Sequence, residues 1–83
     1  MSNIYVFAEQ NDPGDSEIIV HEQLFKDGDY VDEGQAIFVV EGSKALFDIE
    51  APHSGYITSK TIVSSKIQIG SILAEITSEV NPH

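Results

Sequence analysis

The chain has 83 residues, no cysteine and a formal net charge of −10, from 14 acidic residues against four lysines. This length allows one small domain, and the lack of cysteine excludes disulfides, zinc–thiolate sites and thiol catalysis. The acidic surplus argues against nucleic acid and anionic membranes as partners, since both bind through Lys and Arg.

The sequence also bears on the location of the protein. No apolar run approaches the length of a membrane span. The first residues lack the basic segment followed by an apolar stretch that marks a secretory signal. We therefore expect a cytoplasmic protein, or a mitochondrial-matrix protein if a transit peptide was removed.

The first half of the chain alternates short apolar runs with turn residues. Runs rich in β-branched and aromatic residues predict strands, and clusters of Gly, Pro, Asn and Asp predict turns. The predicted strands are Ile4–Phe7, Glu17–His21, Leu24-Phe25, Tyr30-Val31 and Ala36–Glu41. The predicted turns between them are Asn11–Asp15, Lys26–Asp29 and Asp32–Gln35.

The second half continues in the same way. Its predicted strands are Ala45–Ala51, Tyr56-Ile57, Thr61–Val63, Ile67–Ile69 and Ile72–Ile76. No window carries the 3.6-residue period of a helix. Many short strands with frequent turns predict an all-β sandwich or barrel.

The centre of the chain predicts a β-hairpin. The runs Ala36–Glu41 and Ala45–Ala51 are joined by the small polar group Gly42-Ser43-Lys44. Two strands joined by a few small residues are typical of a tight hairpin. Lys44 is therefore expected at the tip, exposed on a rigid mount.

A weak internal repeat flanks this hairpin. Its paired positions are Val31/Ile67, Gly34/Gly70 and Ile37/Leu73, which are 36 residues apart. Two copies are too few for a solenoid. They indicate instead two similar half-sheets that face each other.

The apolar positions of the repeat and the hairpin are the expected core. They are Val31, Phe47, Ile49, Ile67 and Leu73.

Other polar residues do not predict chemistry of their own. His21, His53 and His83 lack the clustered spacing of a metal site, so none is expected. Asp48 and Glu50 would need a pocket to act as paired catalytic carboxylates, and a sandwich this small is not expected to have one. We therefore expect a protein that is not an enzyme.

A set of glycine, acidic, apolar and small residues around Lys44 spans most of the chain, from about Glu17 to Ile76. Its members are Gly28-Asp29, Val31, Gly34, Ile37, Val40–Ala45, Asp48-Ile49, Ala51-Pro52, Ser54-Gly55, Gly70 and Leu73. Together they resemble a lipoyl domain of the biotinyl/lipoyl attachment family. The resemblance implies a flattened barrel-sandwich of two four-stranded antiparallel sheets with quasi-two-fold symmetry. It implies a domain over residues 1–76, with 77–83 as a flexible tail or the start of a linker.

The resemblance also implies a function. Lys44 takes the place of the lysine that carries lipoic acid through an amide, and Glu41, Gly42, Ser43 and Ala45 take the places around it that partners recognise. Such a non-catalytic domain, as found in the acyltransferase component, carries acyl groups on a swinging arm in 2-oxo acid dehydrogenase complexes. The implied partners are a lipoate ligase or lipoyl transferase and the dehydrogenase (decarboxylase), acyltransferase and dihydrolipoyl dehydrogenase components.

Two departures keep other interpretations open. Ser43 stands where such lipoyl domains usually have Asp, and Ser64-Ser65 replaces the second Gly-Asp of the repeat. The alternatives are an unmodified interaction module of the same fold, a biotin carrier, and an aminomethyl carrier of the glycine-cleavage type, which the segment Asp48–Gly55 also resembles. A biotin carrier fits less well, because methionines usually flank its lysine and Ser43 and Ala45 do so here.

Overall fold

Eight β-strands form the part of the chain that the computed structural model describes, residues 3–78. The strands are β1 (Asn3–Phe7), β2 (Glu17–Gln23), β3 (Tyr30–Val31), β4 (Ala36–Glu41), β5 (Leu46–Glu50), β6 (Gly55–Ser59), β7 (Lys66–Gln68) and β8 (Ile72–Thr77). Within residues 3–78 no helix is long and apolar enough to cross a membrane.

The strands form two four-stranded antiparallel sheets, with orders β1-β8-β6-β3 and β5-β4-β2-β7. Adding four to each strand number, and counting past β8 to β1, converts one order into the other. The predicted all-β sandwich and its quasi-two-fold symmetry are therefore confirmed.

The internal repeat is visible in individual hydrogen bonds. The Leu24 N–H donates to the Ile37 carbonyl at 2.9 Å, and the Lys60 N–H donates to the Leu73 carbonyl at 2.8 Å. Both the donors and the acceptors are 36 positions apart, which is the spacing found in the sequence. The repeated residues therefore occupy equivalent places in the two sheets.

Two predicted strands, Leu24-Phe25 and Thr61–Val63, are wrong. Both segments lie in the equivalent turns that follow β2 and β6. Phe25 reaches the core from its turn, whereas Ile62 is 77% exposed. The apolar residues of these segments lie in turns and do not continue a strand. A short apolar run in the sequence does not distinguish a turn from a strand.

The core lies between the sheets and centres on Phe38, which is fully buried. The Phe25 ring meets it edge-to-face, with centroids 5.3 Å apart. The other buried apolar residues are Val6, Ala8, Ile18, Val20, Val31, Ile37, Val40, Ile49, Ala51, Ile57, Leu73, Ala74 and Ile76.

The predicted core is confirmed for Val31, Ile49 and Leu73 and is wrong for two residues. Phe47 and Ile67 are only partly buried and pack against the edge of the core. They lie on β5 and β7, the outer strands of one sheet, so each lacks a neighbouring strand on one side.

The two ends of the described chain lie side by side, because Asn3 of β1 pairs with Thr77 of β8. β8 thus runs to Thr77, the first residue of the predicted tail 77–83. Residues 79–83 lie outside the described range, so the tail stays a prediction.

Ser64 offers a test of the repeat. It has φ +78°, whereas its counterpart in the first half is a glycine, Gly28, with φ +92°. A left-handed conformation costs a residue with Cβ about 1–2 kcal/mol, and glycine loses part of this gain through its larger backbone entropy. We expect Ser64→Gly to raise the free energy of unfolding by roughly 0.5–1 kcal/mol in urea denaturation. Ser64→Ala is the control, and equal stability of the two variants would contradict this explanation.

Candidate functional site

The hairpin between β4 and β5 ends in a narrow tip. Glu41 and Leu46 form the last strand pair. Beyond them the Gly42 N–H donates to the Ala45 carbonyl at 2.9 Å, which leaves Ser43 and Lys44 at the turn itself. The predicted hairpin and the position of Lys44 at its tip are therefore confirmed.

The Lys44 amine is accessible. Its side chain is 76% exposed and forms an ion pair with the Asp12 carboxylate, whose Oδ1 lies 3.7 Å from Nζ. An exposed ion pair of this kind contributes about 0–1 kcal/mol, so it does not prevent another molecule from reaching the amine. Lys44 therefore offers a primary amine on a short, rigid support.

Two open hollows flank the tip. One, of about 370 Å³, is lined by the tip residues with His21 and the half-exposed Leu46. The other, of about 260 Å³, lies toward Asp15 and β7. Glu41 lines both hollows. The tip is thus approachable from two sides, with a carboxylate at its base.

The loop between β1 and β2 lies against the tip through Asp15, which is only 6% exposed. Asp15 Oδ1 accepts the Ser43 N–H at 2.8 Å and the Ser43 hydroxyl at 2.6 Å. Its Oδ2 accepts the N–H groups of Asn11 at 3.2 Å and Asp12 at 3.0 Å. One carboxylate therefore joins this loop to the hairpin tip.

This contact explains why residue 42 is glycine. A Cβ on Gly42 would lie 2.9 Å from Asp15 Oδ2 and 3.2 Å from Cε1 of Phe47. Only hydrogen fits beside the carboxylate without displacing it. Gly42 thus serves close packing in the tip.

The hydrogen bonds control the charge of Asp15. The Ser43 hydroxyl, then the Ser43 and Asp12 N–H groups, lower the pKa of Asp15 from 3.8 to about 2, against an opposing effect of burial. A carboxylate with a lowered pKa stabilises the fold at pH values above its ordinary pKa. This contribution is therefore nearly complete above about pH 5 and is lost progressively as the pH falls through 3.8 toward 2.

Ser43→Ala tests this assignment. Because the hydroxyl bond is the largest cause of the shift, we expect the variant to raise the pKa of Asp15 toward 3.8. An NMR titration of the Asp15 carboxyl carbon measures the change. Ser54→Ala removes a hydroxyl that accepts the Glu33 N–H at 2.8 Å elsewhere, and serves as the control. A pKa of Asp15 that stayed at about 2 in Ser43→Ala would contradict the assignment.

All the site residues predicted from sequence, Glu41–Ala45, lie together at the tip. The sequence does not connect Asp12 and Asp15 with this site, because it predicts only a turn over Asn11–Asp15. Two aspartates in one short turn were the available signal. Nothing in their spacing connects residue 15 with residue 43, 28 positions later.

No metal-binding group is found around this site. Within residues 3–78, no cluster of three or more His, Cys, Asp or Glu side chains could hold a metal ion. His21 lines one hollow, and His53 contacts the Ser54 carbonyl in a distant turn. His83 lies outside the described residues.

Comparison with known families supports the arrangement. A family model described as biotin-requiring enzyme, which represents the biotin/lipoyl attachment domain, matches residues 12–76. The match begins at Asp12 and covers the tip and both halves of the repeat. A search of curated proteins gave no significant match.

Proposed function

Because the chain belongs to the biotin/lipoyl attachment family, whose members are carrier domains, we propose that it is a lipoyl carrier domain modified on Lys44. The observation that carries this proposal is the Lys44 amine, 76% exposed at the turn of a hairpin. The family binds either lipoic acid or biotin covalently on a lysine.

The tip fits a covalently attached group. An amide forms when the neutral Nζ attacks the carboxyl carbon of a cofactor activated with ATP; the C–O bond to the activating group breaks, AMP leaves, and the nitrogen releases a second proton to solvent. Small neighbours, Ser43 and Ala45, leave space for the enzyme that makes the bond. The rest of the tip does not need to move. Neither the pairing of Glu41 with Leu46 nor the hydrogen bonds to Asp15 involve an atom of the Lys44 side chain.

When bound, lipoic acid supplies a dithiolane that accepts electrons and acyl groups, chemistry that a chain without cysteine lacks. The protein contributes position. It presents the arm from a rigid two-stranded support and keeps the attachment point away from the core.

The choice of lipoic acid over biotin rests on the residues beside the lysine. Biotin carriers usually place methionines there, whereas Ser43 and Ala45 flank Lys44 and Met1 is the one methionine of the chain. The resemblance of Val40-Glu41 and Ala51-Pro52, on the two sides of the tip, to the lipoyl pattern supports the same choice.

We further propose that the arm serves a 2-oxo acid dehydrogenase-type complex, in the cytoplasm or the mitochondrial matrix. Its partners would be a lipoate ligase or lipoyl transferase and the dehydrogenase, acyltransferase and dihydrolipoyl dehydrogenase components. The acidic surface suits partners that approach with basic residues.

The intact mass of the protein purified from its native host tests the proposal. We expect the intact mass to exceed that of the polypeptide by one lipoyl group. Peptide mapping should place the added mass on the peptide that contains Lys44. A biotinyl mass would identify a biotin carrier. A mass equal to that of the polypeptide would favour the unmodified interaction module.

A further inference from the structure

Asp15 is the one polar or charged residue with so little exposure among residues 3–78. Its two carboxylate oxygens accept hydrogen bonds from different parts of the chain. Oδ1 accepts both of its hydrogen bonds from Ser43 in the tip, and Oδ2 accepts both of its bonds from Asn11 and Asp12 in its own loop. Four hydrogen bonds hold this carboxylate firmly in place, because hydrogen bonds to an ionised acceptor are stronger than neutral ones.

The loop that holds Asp15 is itself fixed to the fold. The Ile69 N–H donates to the Ser16 carbonyl at 3.1 Å, and the Gly70 N–H donates to the Ala8 carbonyl at 3.0 Å. Both ends of the loop are therefore tied to the segment between β7 and β8. Through its hydrogen bonds to Ser43, Asp15 links this anchored loop to the hairpin tip.

The two bonds to Ser43 act on the residue directly before Lys44. One engages its backbone N–H and the other its side-chain hydroxyl. Two attachments on one residue restrict its rotation and so fix the direction in which the next residue leaves the turn. The hydrogen bonds to Asp15 thus restrain the backbone from which the Lys44 side chain starts.

We propose that Asp15 is a positioning residue for the enzymatic acylation of Lys44, acting through Ser43. The inference rests on the proposed function, since it concerns the modification of that lysine. Ser43 stands where a lipoyl domain usually has Asp, and in this chain the Asp15 carboxylate, from the loop between β1 and β2, accepts two hydrogen bonds from Ser43.

Asp12 has a different role from Asp15. Its carboxylate faces Nζ itself at 3.7 Å, so this ion pair is lost when the amine becomes an amide. The hydrogen bonds that Asp15 accepts from Ser43 involve no atom of the Lys44 side chain, so we expect them to persist after modification. The enzyme that loads the arm and the enzymes that use it would therefore meet the same tip.

The test is a double-mutant cycle on lipoylation of the full chain by a lipoate ligase with ATP and lipoic acid. Asp15→Asn removes the charge and one of the two acceptor oxygens, and Ser43→Ala removes one donor. We expect Asp15→Asn to lower kcat/KM for the protein substrate by about 10- to 100-fold, as small misplacements of reacting groups do. Ser43→Ala should have a smaller effect alone and almost none in the Asp15→Asn chain, because partners in one contact are not additive.

Two controls separate positioning from general damage. Asp48→Asn makes the same charge change on the exposed face of β5, away from the tip, and should leave kcat/KM near the wild-type value. Acetylation of Lys44 by a small N-hydroxysuccinimide ester needs only an exposed amine, so its rate should be unchanged in Asp15→Asn. Circular dichroism should show all variants folded at the assay temperature.

The outcomes are distinct. Wild-type kcat/KM in Asp15→Asn would overturn the inference and leave the proposed function intact, as would additive effects of the two substitutions. A parallel fall in the chemical acetylation rate would also overturn it, because the change would then concern exposure. If the wild-type chain itself accepted no lipoate, the proposed function would fail and the inference with it.

Discussion

Lys44→Arg is expected to abolish lipoylation completely. Arginine keeps the charge and approximate length of the side chain, but its guanidinium stays protonated and is a far poorer acyl acceptor than an amine. The fold should be unaffected, since the side chain is 76% exposed and its single described charge contact is with Asp12. Incubation with a lipoate ligase, ATP and lipoic acid, followed by peptide mass mapping, measures the effect.

The other three lysines are internal controls in the same experiment. Lys26 lies in the turn after β2, Lys66 begins β7, and Lys60 is 47% exposed and lies 3.5 Å from Glu75. None of them occupies a hairpin tip between two long strands. Label on any of these three in wild type or Lys44→Arg would show that the ligase does not recognise the tip.

Moving the amine by one position tests the geometry further. The double variant Ser43→Lys with Lys44→Ser keeps the composition of the tip but places the lysine where Asp15 now binds Ser43. We expect no labelling, because adjacent residues of the turn point in different directions and the Asp15 contact is lost. Labelling at wild-type rate would mean that any exposed amine in this region is sufficient.

Phe38→Ala is expected to lower the free energy of unfolding by about 3–5 kcal/mol. Phe38 is fully buried between the sheets, and its ring packs edge-to-face on Phe25. Removing it leaves a cavity and deletes the aromatic pair. A domain this small has a stability of the same order, so the variant should be largely unfolded at 25 °C.

Phe7→Ala is the matched control for this substitution. The same atoms are removed, but Phe7 is 48% exposed, and we expect a loss of about 1 kcal/mol or less. Urea denaturation followed by circular dichroism compares the two midpoints. Similar losses for both would mean that the assigned faces of β1 and β4 are wrong.

The sequence was sufficient for features that depend on neighbours along the chain. The hairpin at Lys44 follows from two apolar runs with small residues between them, and the repeat follows from a fixed spacing. Such local patterns specify a strand and its partner when a short turn joins them. They also explain why Glu41–Ala45 could be placed together at one tip.

The misread elements share another cause. In Leu24-Phe25 and Thr61–Val63 the residues have strand composition, but the chain turns there, and the pairing of β2 with β4 goes no further than the bond from the Leu24 N–H to the Ile37 carbonyl. Their role is fixed by contacts across the fold, such as that of Phe25 with Phe38. Burial of Phe47 and Ile67 was overestimated for a related reason, because the sequence does not show which strands lie at a sheet edge.

The contact between Asp15 and Ser43 could not be foreseen at all. It joins residues 28 positions apart through one carboxylate, and no periodicity or pairing rule relates a loop to a hairpin tip. A turn rich in aspartate is an ordinary surface feature until the fold places it against a donor. Sites built from loops are for this reason the hardest to read from sequence.

The pairing of Asn3 with Thr77 has a practical consequence for anchoring the protein. At the other end of the paired strands β1 and β8, Phe7 pairs with Ile72, next to the loop whose Asp15 binds Ser43. A tether joined to β1 before Asn3 or to β8 after Thr77 therefore holds the domain by the end remote from Lys44. A chain immobilised on a sensor surface through either strand would present its reactive lysine outward, and binding measured there would report on the free tip.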